Sequence, residues 1–195
     1  MQVTGRNEKD SSYYDSIYEG GYDASHYEPV YRHILSIIDR VESPRVLEIG
    51  CGIGALAEMI AATGTPYRGF DFSETAVRRC RQRLPHVEFS VGDAYEQVSF
   101  RPVDYNVVVA TEVLEHVDDH RVIGNIPVGA LLIATVPDFD DDSHLRLYRD
   151  VRVDIVERFA LLLKVHQVGS FTSNSLTTGA PQTYHVFYGT RVAAE

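Results

Sequence analysis

Cysteine is scarce in this chain of 195 residues, which contains only Cys51 and Cys80. Two cysteines are too few for a disulfide scaffold, and we expect both to be free thiols in a reducing compartment. No apolar run approaches the roughly 20 residues that cross a bilayer, so no membrane partner is expected. The polar residues 2–12 also lack the apolar core of a signal peptide. These absences predict a cytoplasmic protein.

Positive charge is also in short supply. Lysine and arginine together number 18 against 28 aspartates and glutamates, which gives a formal net charge of −10. A surface this negative repels phosphate backbones, so general nucleic-acid binding through a basic face is disfavoured. Internal repeats and low-complexity linkers are absent as well. Hydrophobic residues make up 44% of the chain, and at this length they can form the core of one domain.

The chain is expected to have an N-terminal tail and helical lid over residues 1–43 and one folded unit over residues 44–195. The polar residues 1–12 predict a mobile tail. Apolar positions recur at helical spacing over residues 27–41, and Pro44 is expected to end that helix. The oligomeric state is left open by the sequence.

Strands and helices alternate along the rest of the chain. This alternation predicts a doubly wound α/β fold, with a mostly parallel sheet and helices on both faces. Only a turn-rich stretch separates the last two strands, which predicts a hairpin and an antiparallel strand at one edge. The predicted strands are residues 45–49, 67–70, 87–91, 105–110, 131–136, 165–171 and 184–192, and the predicted helices are residues 55–62, 73–84 and 153–163. In such a sheet, ligands bind beyond the carboxyl ends of the strands.

A glycine-rich turn follows the first of these strands. Gly50, Cys51, Gly52 and Gly54 would let the backbone bend sharply and approach a ligand closely, although the glycine spacing alone also fits a dinucleotide site. Glu48 ends the strand two residues earlier. Its carboxylate would repel a pyrophosphate and attract a ligand that carries an ammonium group and a sulfonium. The turn therefore favours S-adenosylmethionine (SAM) over NAD.

Polar positions also follow the next strands. Asp71 can accept both hydroxyls of a ribose, or it can serve as a carboxylate at a helix start. Phe72, beside it, could lie against an adenine. The Asp93 carboxylate could accept a hydrogen bond from the adenine amino group, with a backbone N–H near it, at Ala94, donating to the adenine ring. Alternatively, the two residues could form a plain turn. Glu112 ends the fourth predicted strand and is expected to lie next to the glycine turn.

These motifs, in this order, resemble those of class I SAM-dependent methyltransferases, and especially the small bacterial enzymes that modify metabolites. The motifs are residues 46–54, Asp71, residues 92–94 and residues 112–117. The resemblance implies a Rossmann-like seven-stranded sheet whose last strand is antiparallel. It also implies that Glu48 and the glycines surround the methionine part of SAM, that Asp71 holds the ribose, and that Asp93 with Ala94 holds the adenine. The implied function is methyl transfer to a small-molecule acceptor, leaving S-adenosylhomocysteine (SAH).

The candidate catalytic residues are two histidines. Methyl transfer needs a general base only if the acceptor arrives protonated, and His116 and His144 are the candidates for it. Each histidine could instead anchor a loop. Glu112 and Glu115 precede His116 at a spacing that also suits a divalent-metal site, with His144 as a further ligand. Many relatives share this pattern without using a metal, so the metal question stays open.

Tyrosines and aspartates flank the expected acceptor site. Tyr14, Tyr18 and Tyr22 recur every four residues and would share one helical face, either as a lid beside the sulfonium or as packing on the core. The glycines at positions 20 and 21 would let this lid hinge. Four aspartates crowd residues 138–142. They could attract a cationic acceptor such as an amine, or they could form a solvated charge run.

Three alternative functions remain at this point. One is an NAD-dependent oxidoreductase of similar fold, and another is a protein that binds SAM without turnover. The third is an aminopropyl transferase, although the distinctive run of that family is missing. DNA adenine methylation is disfavoured, because the fourth predicted strand is followed by Thr-Glu-Val-Leu rather than by an Asn/Asp-Pro-Pro-aromatic run. The acceptor atom, oxygen or nitrogen in the favoured interpretation, cannot be read from these motifs.

Overall fold

The computed structural model describes residues 2–174 and 179–193. The strands are β1 (Gln2–Val3), β2 (Val46–Ile49), β3 (Tyr67–Asp71), β4 (Glu88–Val91), β5 (Val107–Thr111), β6 (Leu131–Pro137), β7 (Arg146–Leu147), β8 (Leu163–Asn174) and β9 (Pro181–Arg191). The α-helices are α1 (Ser11–Glu19), α2 (Glu28–Ile38), α3 (Ala55–Ala62), α4 (Glu74–Arg83) and α5 (Asp119–Asn125). Part of the turn between β8 and β9, residues 175–178, lies outside the described residues.

Seven strands form the main sheet, in the order β4-β3-β2-β5-β6-β9-β8. The first five in this order pair in parallel, and β9 runs antiparallel to both β6 and β8. This confirms the predicted α/β fold with its mostly parallel seven-stranded sheet. The antiparallel strand β9 lies one position in from the edge, because β8 occupies the edge itself.

The central strands are covered on both faces, as their continuous apolar sequence requires. In β5, Val107 and Val109 belong to one core together with α2, whereas Val108 belongs to the core on the opposite face together with α5. All three valines have no exposed surface. Helices on the two faces thus leave the carboxyl ends of β2, β3 and β5 open as the place for a site.

Two predicted helices differ from the observed ones. Helix α2 ends at Ile38 rather than near Pro44, because a turn follows in which the Val41 N–H donates to the Ile38 carbonyl at 2.9 Å. The predicted helix 153–163 is a π-helical segment, Val151–Glu157, followed by a turn into β8. Strand β8 begins at Leu163, the last apolar residue of the predicted helix.

The prediction of a mobile N-terminal tail is wrong for the described residues. Strand β1 pairs antiparallel with β7, and the Thr4 N–H donates to the Leu145 carbonyl at 3.0 Å. The Arg6 guanidinium donates to the Asp140 carboxylate. The tail is polar because it crosses the surface, and backbone pairing holds it there.

Helix α1 forms within the predicted lid. The Asp10 side chain caps its first turn by accepting from the Tyr13 N–H. Near its middle, Asp15 accepts from the Ser73 hydroxyl and, at 3.0 Å, from the Thr75 N–H, which fixes α1 to the start of α4. Within the described part of the chain, no helix is both long and apolar enough to span a membrane.

Candidate active site

The glycine turn is a left-handed bend between β2 and α3. Gly50, Gly52 and Gly54 have φ values of +67°, +51° and +76°, which L-residues with side chains rarely adopt. A Cβ at position 50 would lie only 2.6 Å from Val113 Cγ2. Position 50 therefore needs glycine for two reasons, its backbone conformation and the close approach of the loop after β5.

Glu48 lies buried beside this bend, with 3% of its surface exposed. The Tyr67 hydroxyl donates to its carboxylate. Burial raises the pKa of Glu48 to about 8, although the bond from Tyr67 works in the opposite direction. The strand end therefore holds a carboxyl group that is costly to ionise unless a cation lies beside it.

Asp71 lies on the other side of the bend and is also 3% exposed. One carboxylate oxygen accepts from the Gly52 N–H at 2.9 Å, and the other accepts from the Ser73 N–H at 2.9 Å. Burial raises its pKa to about 6. Asp71 thus ties the bend to the start of α4, and each of its oxygens keeps a lone pair for a ligand.

Two cavities meet at the bend. A smaller cavity of about 470 Å³ lies over the ends of β3 and β4. A larger one of about 640 Å³ lies over the ends of β2, β5 and β6. Both volumes fall within the usual range of small-molecule sites. The residues shared by their walls are Tyr14, Tyr18, Gly50, Glu112 and His116.

The structure brings nearly all the sequence-predicted site residues to these cavities. The smaller cavity is lined by Gly50, Asp71, Phe72, Asp93, Ala94 and Glu112. The larger cavity is lined by Glu48, Gly50, Cys51, Gly52, Glu112, His116 and His144. Gly54 lines neither; a Cβ there would lie 3.0 Å from Cys80 Sγ, so this glycine serves packing behind the bend. Cys51 and Cys80 are both free, as predicted, and both are buried.

Glu112 is held in a strained conformation at the end of β5. Its φ is +53°, in the left-handed region that a glutamate rarely occupies. The Thr135 hydroxyl accepts from the Glu112 N–H at 2.9 Å and donates to its Oε1 at 2.7 Å. This closed ring fixes where the carboxyl group points. Sequence analysis missed Thr135 and Tyr67, the two side chains that position the acidic groups.

The candidate catalytic histidines lie next to each other in the larger cavity, with ring centroids 5.0 Å apart. Burial lowers the pKa of His116 to about 4 and also lowers the pKa of His144. Glu115 is fully buried beside them, and burial raises its pKa, with Glu112 raising it further. One potential ligand atom from each of Glu115, His116 and His144 lies within 4.8 Å of the others. Glu112 lies outside this group.

Helix α1 shows the predicted tyrosine face only in part. Tyr14 and Tyr18 lie on α1 and line both cavities. Tyr22 follows the helix, because α1 ends at Glu19 and Gly21 has a φ of +95°. Its ring nevertheless packs on Tyr18, at 5.7 Å between centroids.

Burial of Glu48 predicts that the ligand-free protein loses stability as the pH rises. An unfolded glutamate ionises near pH 4.5, whereas folded Glu48 keeps its proton to about pH 8. Between these values the folded state binds one more proton, so raising the pH costs at most about 1.4 kcal/mol per pH unit for this group. We expect the melting temperature of Glu48→Gln to fall less steeply with pH than that of the wild type. The exposed Glu42→Gln should keep the wild-type slope, and equal slopes for all three proteins would contradict this account.

Comparison with known sequences finds similarity over the segment that carries the glycine bend. A family described as a methyltransferase domain matches residues 46–126. The chain is 37% identical over 79 residues to the ubiquinone biosynthesis O-methyltransferase of Thiobacillus denitrificans, and this alignment covers 38% of this chain and 34% of that protein. It is 30% identical over 121 residues to the trans-aconitate 2-methyltransferase of Afipia carboxidovorans, and this alignment covers 58% of this chain and 46% of that protein. The chain thus spans less than half the length of these relatives.

Solved structures share the whole fold. The N-methyltransferase NodS from Bradyrhizobium japonicum, solved with SAH, superposes with a TM-score of 0.67 at 16% identity, over 93% of this chain and 99% of that one. The [4+2]-cyclase SpnF superposes with a TM-score of 0.74 at 13% identity, over 97% and 100%. At these identities the likeness shows the fold, and the cyclase shows that one fold can carry different reactions. Residues 46–126 thus match a methyltransferase domain, and the whole chain has the fold of a known N-methyltransferase.

Proposed function

We propose that the protein transfers the methyl group of SAM to a small-molecule acceptor with an oxygen or nitrogen nucleophile, leaving SAH. SAM supplies a methyl carbon that is already activated by its positively charged sulfur. The observation that carries the proposal is the pair of cavities that meet at a glycine bend, with buried Glu48 and Asp71 on its two sides. Free buried thiols agree with a cytoplasmic location, which is part of the proposal.

The smaller cavity fits the nucleoside part of this cofactor. Asp71 has lone pairs left for two ribose hydroxyls after accepting from the backbone. Phe72 is 38% exposed and offers a ring face for an adenine. Asp93 uses one oxygen to accept from the Tyr95 N–H at 2.8 Å and keeps the other for an amino group. Ala94 lines the same wall and can contribute its backbone.

The amino acid part fits the other side of the bend. Gly50, Cys51 and Gly52 line the larger cavity with their backbone exposed to it, and Glu48 offers a carboxylate for an ammonium group. Ionised Glu48 is unfavourable in the empty protein, so a bound cation would stabilise it. Glu112 stands between the two cavities, where a sulfonium would experience its charge.

The catalytic contribution of the chain is mainly alignment and exclusion of water. His116 borders both cavities, and His144 lies beside it in the larger one. A pKa of about 4 makes His116 a weak base, so we propose that both rings orient the acceptor as neutral hydrogen-bonding groups. We propose further that α1 serves as the lid, because Tyr14 and Tyr18 close the junction of the cavities.

Two alternatives are less well supported. An NAD-dependent oxidoreductase would place a pyrophosphate at the bend, where Glu48 and Asp71 would repel it. The other is a divalent metal at Glu112, Glu115 and His116 with His144 as a further ligand, a question that stays open. The structure groups only Glu115, His116 and His144, and the geometry there suits a different cation.

Methyl transfer can be tested with SAM that carries a labelled methyl group. The purified protein is incubated with this SAM and with a protein-free metabolite extract. We expect label in the small-molecule fraction and one SAH formed for each methyl transferred. SAH binding with no transfer of label to any extract would contradict turnover and leave only a SAM-binding protein.

A further inference from the structure

The wall of the larger cavity carries acidic groups and no permanent positive charge among the described residues. Among the described residues that line it, five are acidic and none is lysine or arginine. The acidic residues are Asp23, Glu48, Glu112, Glu115 and Asp141. Arg146 acts on Glu115 from outside the cavity, and its guanidinium is engaged by the Leu114 and Val117 carbonyls. An anionic acceptor would therefore find no compensating cation in this wall, and each acidic group that is ionised would repel it.

Glu115 lacks the partner that a buried carboxylate needs. It has no exposed surface, and neither of its oxygens has a hydrogen-bond partner among the described residues. His116 Nε2 lies 3.5 Å from Glu115 Oε1. However, His116 Nδ1 lies 3.1 Å from the Ser143 carbonyl, which can only accept. The single N–H of a neutral ring is used there, so Nε2 faces Glu115 with a lone pair.

His144 repeats this arrangement. Its Nδ1 lies 3.1 Å from the Phe139 carbonyl, so its one N–H is also used outside the cluster. Glu115, His116 and His144 thus bring potential acceptor atoms within 4.8 Å of one another, and with Glu115 ionised the three side chains supply no donor to this cluster. A buried set of acceptors is costly unless a donor completes it. A cation with several N–H donors would complete this set and would also stabilise the ionised form of Glu115.

An aromatic wall continues from this cluster into the cavity. The Phe139 ring lies 5.6 Å from the His144 ring and 5.3 Å from the Tyr184 ring. The Tyr27 ring lies 5.2 Å from the Tyr184 ring and 5.9 Å from the Tyr31 ring. Aromatic faces attract organic cations and also bury their carbon atoms. A bare metal ion would use the acceptors but leave this wall without a role.

We infer that the acceptor is an organic ammonium ion, with its nitrogen against Glu115 and its carbon frame on the aromatic wall. This inference rests on the proposed function and narrows its acceptor to an amine. In the transfer, the ammonium loses a proton, which passes to solvent, and its nitrogen lone pair forms the new N–C bond. The C–S bond breaks and its electron pair stays on sulfur. The products are the N-methylated ammonium ion of the acceptor and SAH, whose sulfur is neutral. A polycarboxylate, as in the trans-aconitate relative, would be excluded.

The test compares two probes of opposite charge on the same frame, 2-phenylethylammonium and 3-phenylpropanoate. Each is titrated by calorimetry into the full-length, SAH-loaded protein in the presence of a chelator. We expect the ammonium to bind at least about tenfold more tightly than the carboxylate. Glu115→Gln should weaken ammonium binding by at least about tenfold, because the amide loses the charge. The exposed Glu42→Gln is the matched control and should bind like the wild type.

SAH binding is measured first on each protein, which separates this inference from the proposed function. If SAH fails to bind the wild type, the proposed function fails. If SAH binds, the inference is overturned by equal or tighter binding of the carboxylate, by binding of neither probe at millimolar concentration, or by an ammonium affinity that Glu115→Gln leaves unchanged. Parallel titrations with magnesium and zinc ions complete the test. Metal binding that depends on Glu115 and prevents ammonium binding would also overturn it.

Discussion

Replacing Asp71 by alanine should weaken SAH binding by at least about 100-fold. The carboxylate is buried, and the change removes the acceptor that we propose for two ribose hydroxyls. It also leaves the Gly52 and Ser73 N–H groups without their partner, so the bend itself loses its tie to α4. Calorimetry with SAH measures the loss directly.

Two further variants separate binding from folding. Asp71→Asn keeps the size of the side chain and one acceptor oxygen, so its affinity for SAH should lie between those of the wild type and the alanine variant. The exposed Asp39→Ala removes the same charge far from the bend and should bind SAH normally. A circular dichroism spectrum and melting temperature check that each variant is folded. If folded Asp71→Ala bound SAH within about threefold of the wild type, the assigned role of Asp71 would be wrong.

Replacing Asp119 by alanine should lower the free energy of unfolding by about 3 kcal/mol, because it leaves two partly buried arginines without their buried counter-charge. Asp119 is fully buried, and Arg158 donates to both of its oxygens, at 2.6 and 2.7 Å. The Tyr148 hydroxyl donates to it at 2.7 Å, and Arg146 lies 3.5 Å away. Since Arg146 also binds the carbonyls of the loop after β5, this cluster supports the acidic end of the site.

Urea denaturation measures this loss, and the neighbouring residue provides the control. Asp118 is exposed and caps α5, so Asp118→Ala should cost only about 1 kcal/mol. A loss for Asp119→Ala no larger than that for Asp118→Ala would show that the buried ion cluster contributes little to stability.

The cavity-lining bend was predictable because its signals are local in the chain. Glycines at alternate positions report a backbone conformation, and Gly50 has the positive φ that its identity suggests. Glu48 and Asp71 were predictable because each ends a short β-rich run, and parallel strands bring such ends together. Ser73 begins the predicted helix 73–84, and in the structure its hydroxyl caps α4 by accepting from the Ala76 N–H.

The residues that orient the carboxyl groups were not predictable, because their contacts depend on strand register. Tyr67 lies on β3, and its hydroxyl passes over Gly69 to reach Glu48 on the neighbouring strand β2. A Cβ at position 69 would lie 2.5 Å from the Tyr67 hydroxyl oxygen, so glycine leaves the space for this contact. Thr135 pairs with Thr111 across β5 and β6, which puts its hydroxyl next to Glu112. Register between distant segments is set by the packed sheet, and no local pattern reports it.

The N-terminal segment shows a different limit. Its polar composition suggested a free tail, but β1 pairs through backbone groups that every sequence has. The four-residue tyrosine spacing predicted one helical face, and Gly20 and Gly21 end the helix before Tyr22. The residue types were interpreted correctly in both cases. The structure was decided by features that residue types do not report, namely the pairing of β1 with β7 and the end of α1 at Glu19.

We propose that the acidic glycine bend at the carboxyl end of β2 holds a cationic nucleoside–amino acid conjugate. Side-by-side calorimetric titrations of the wild-type protein with SAH and with NAD test it most directly. We predict saturable binding of SAH at one site per chain and no measurable binding of NAD. Uptake of NAD with no binding of SAH would contradict the account.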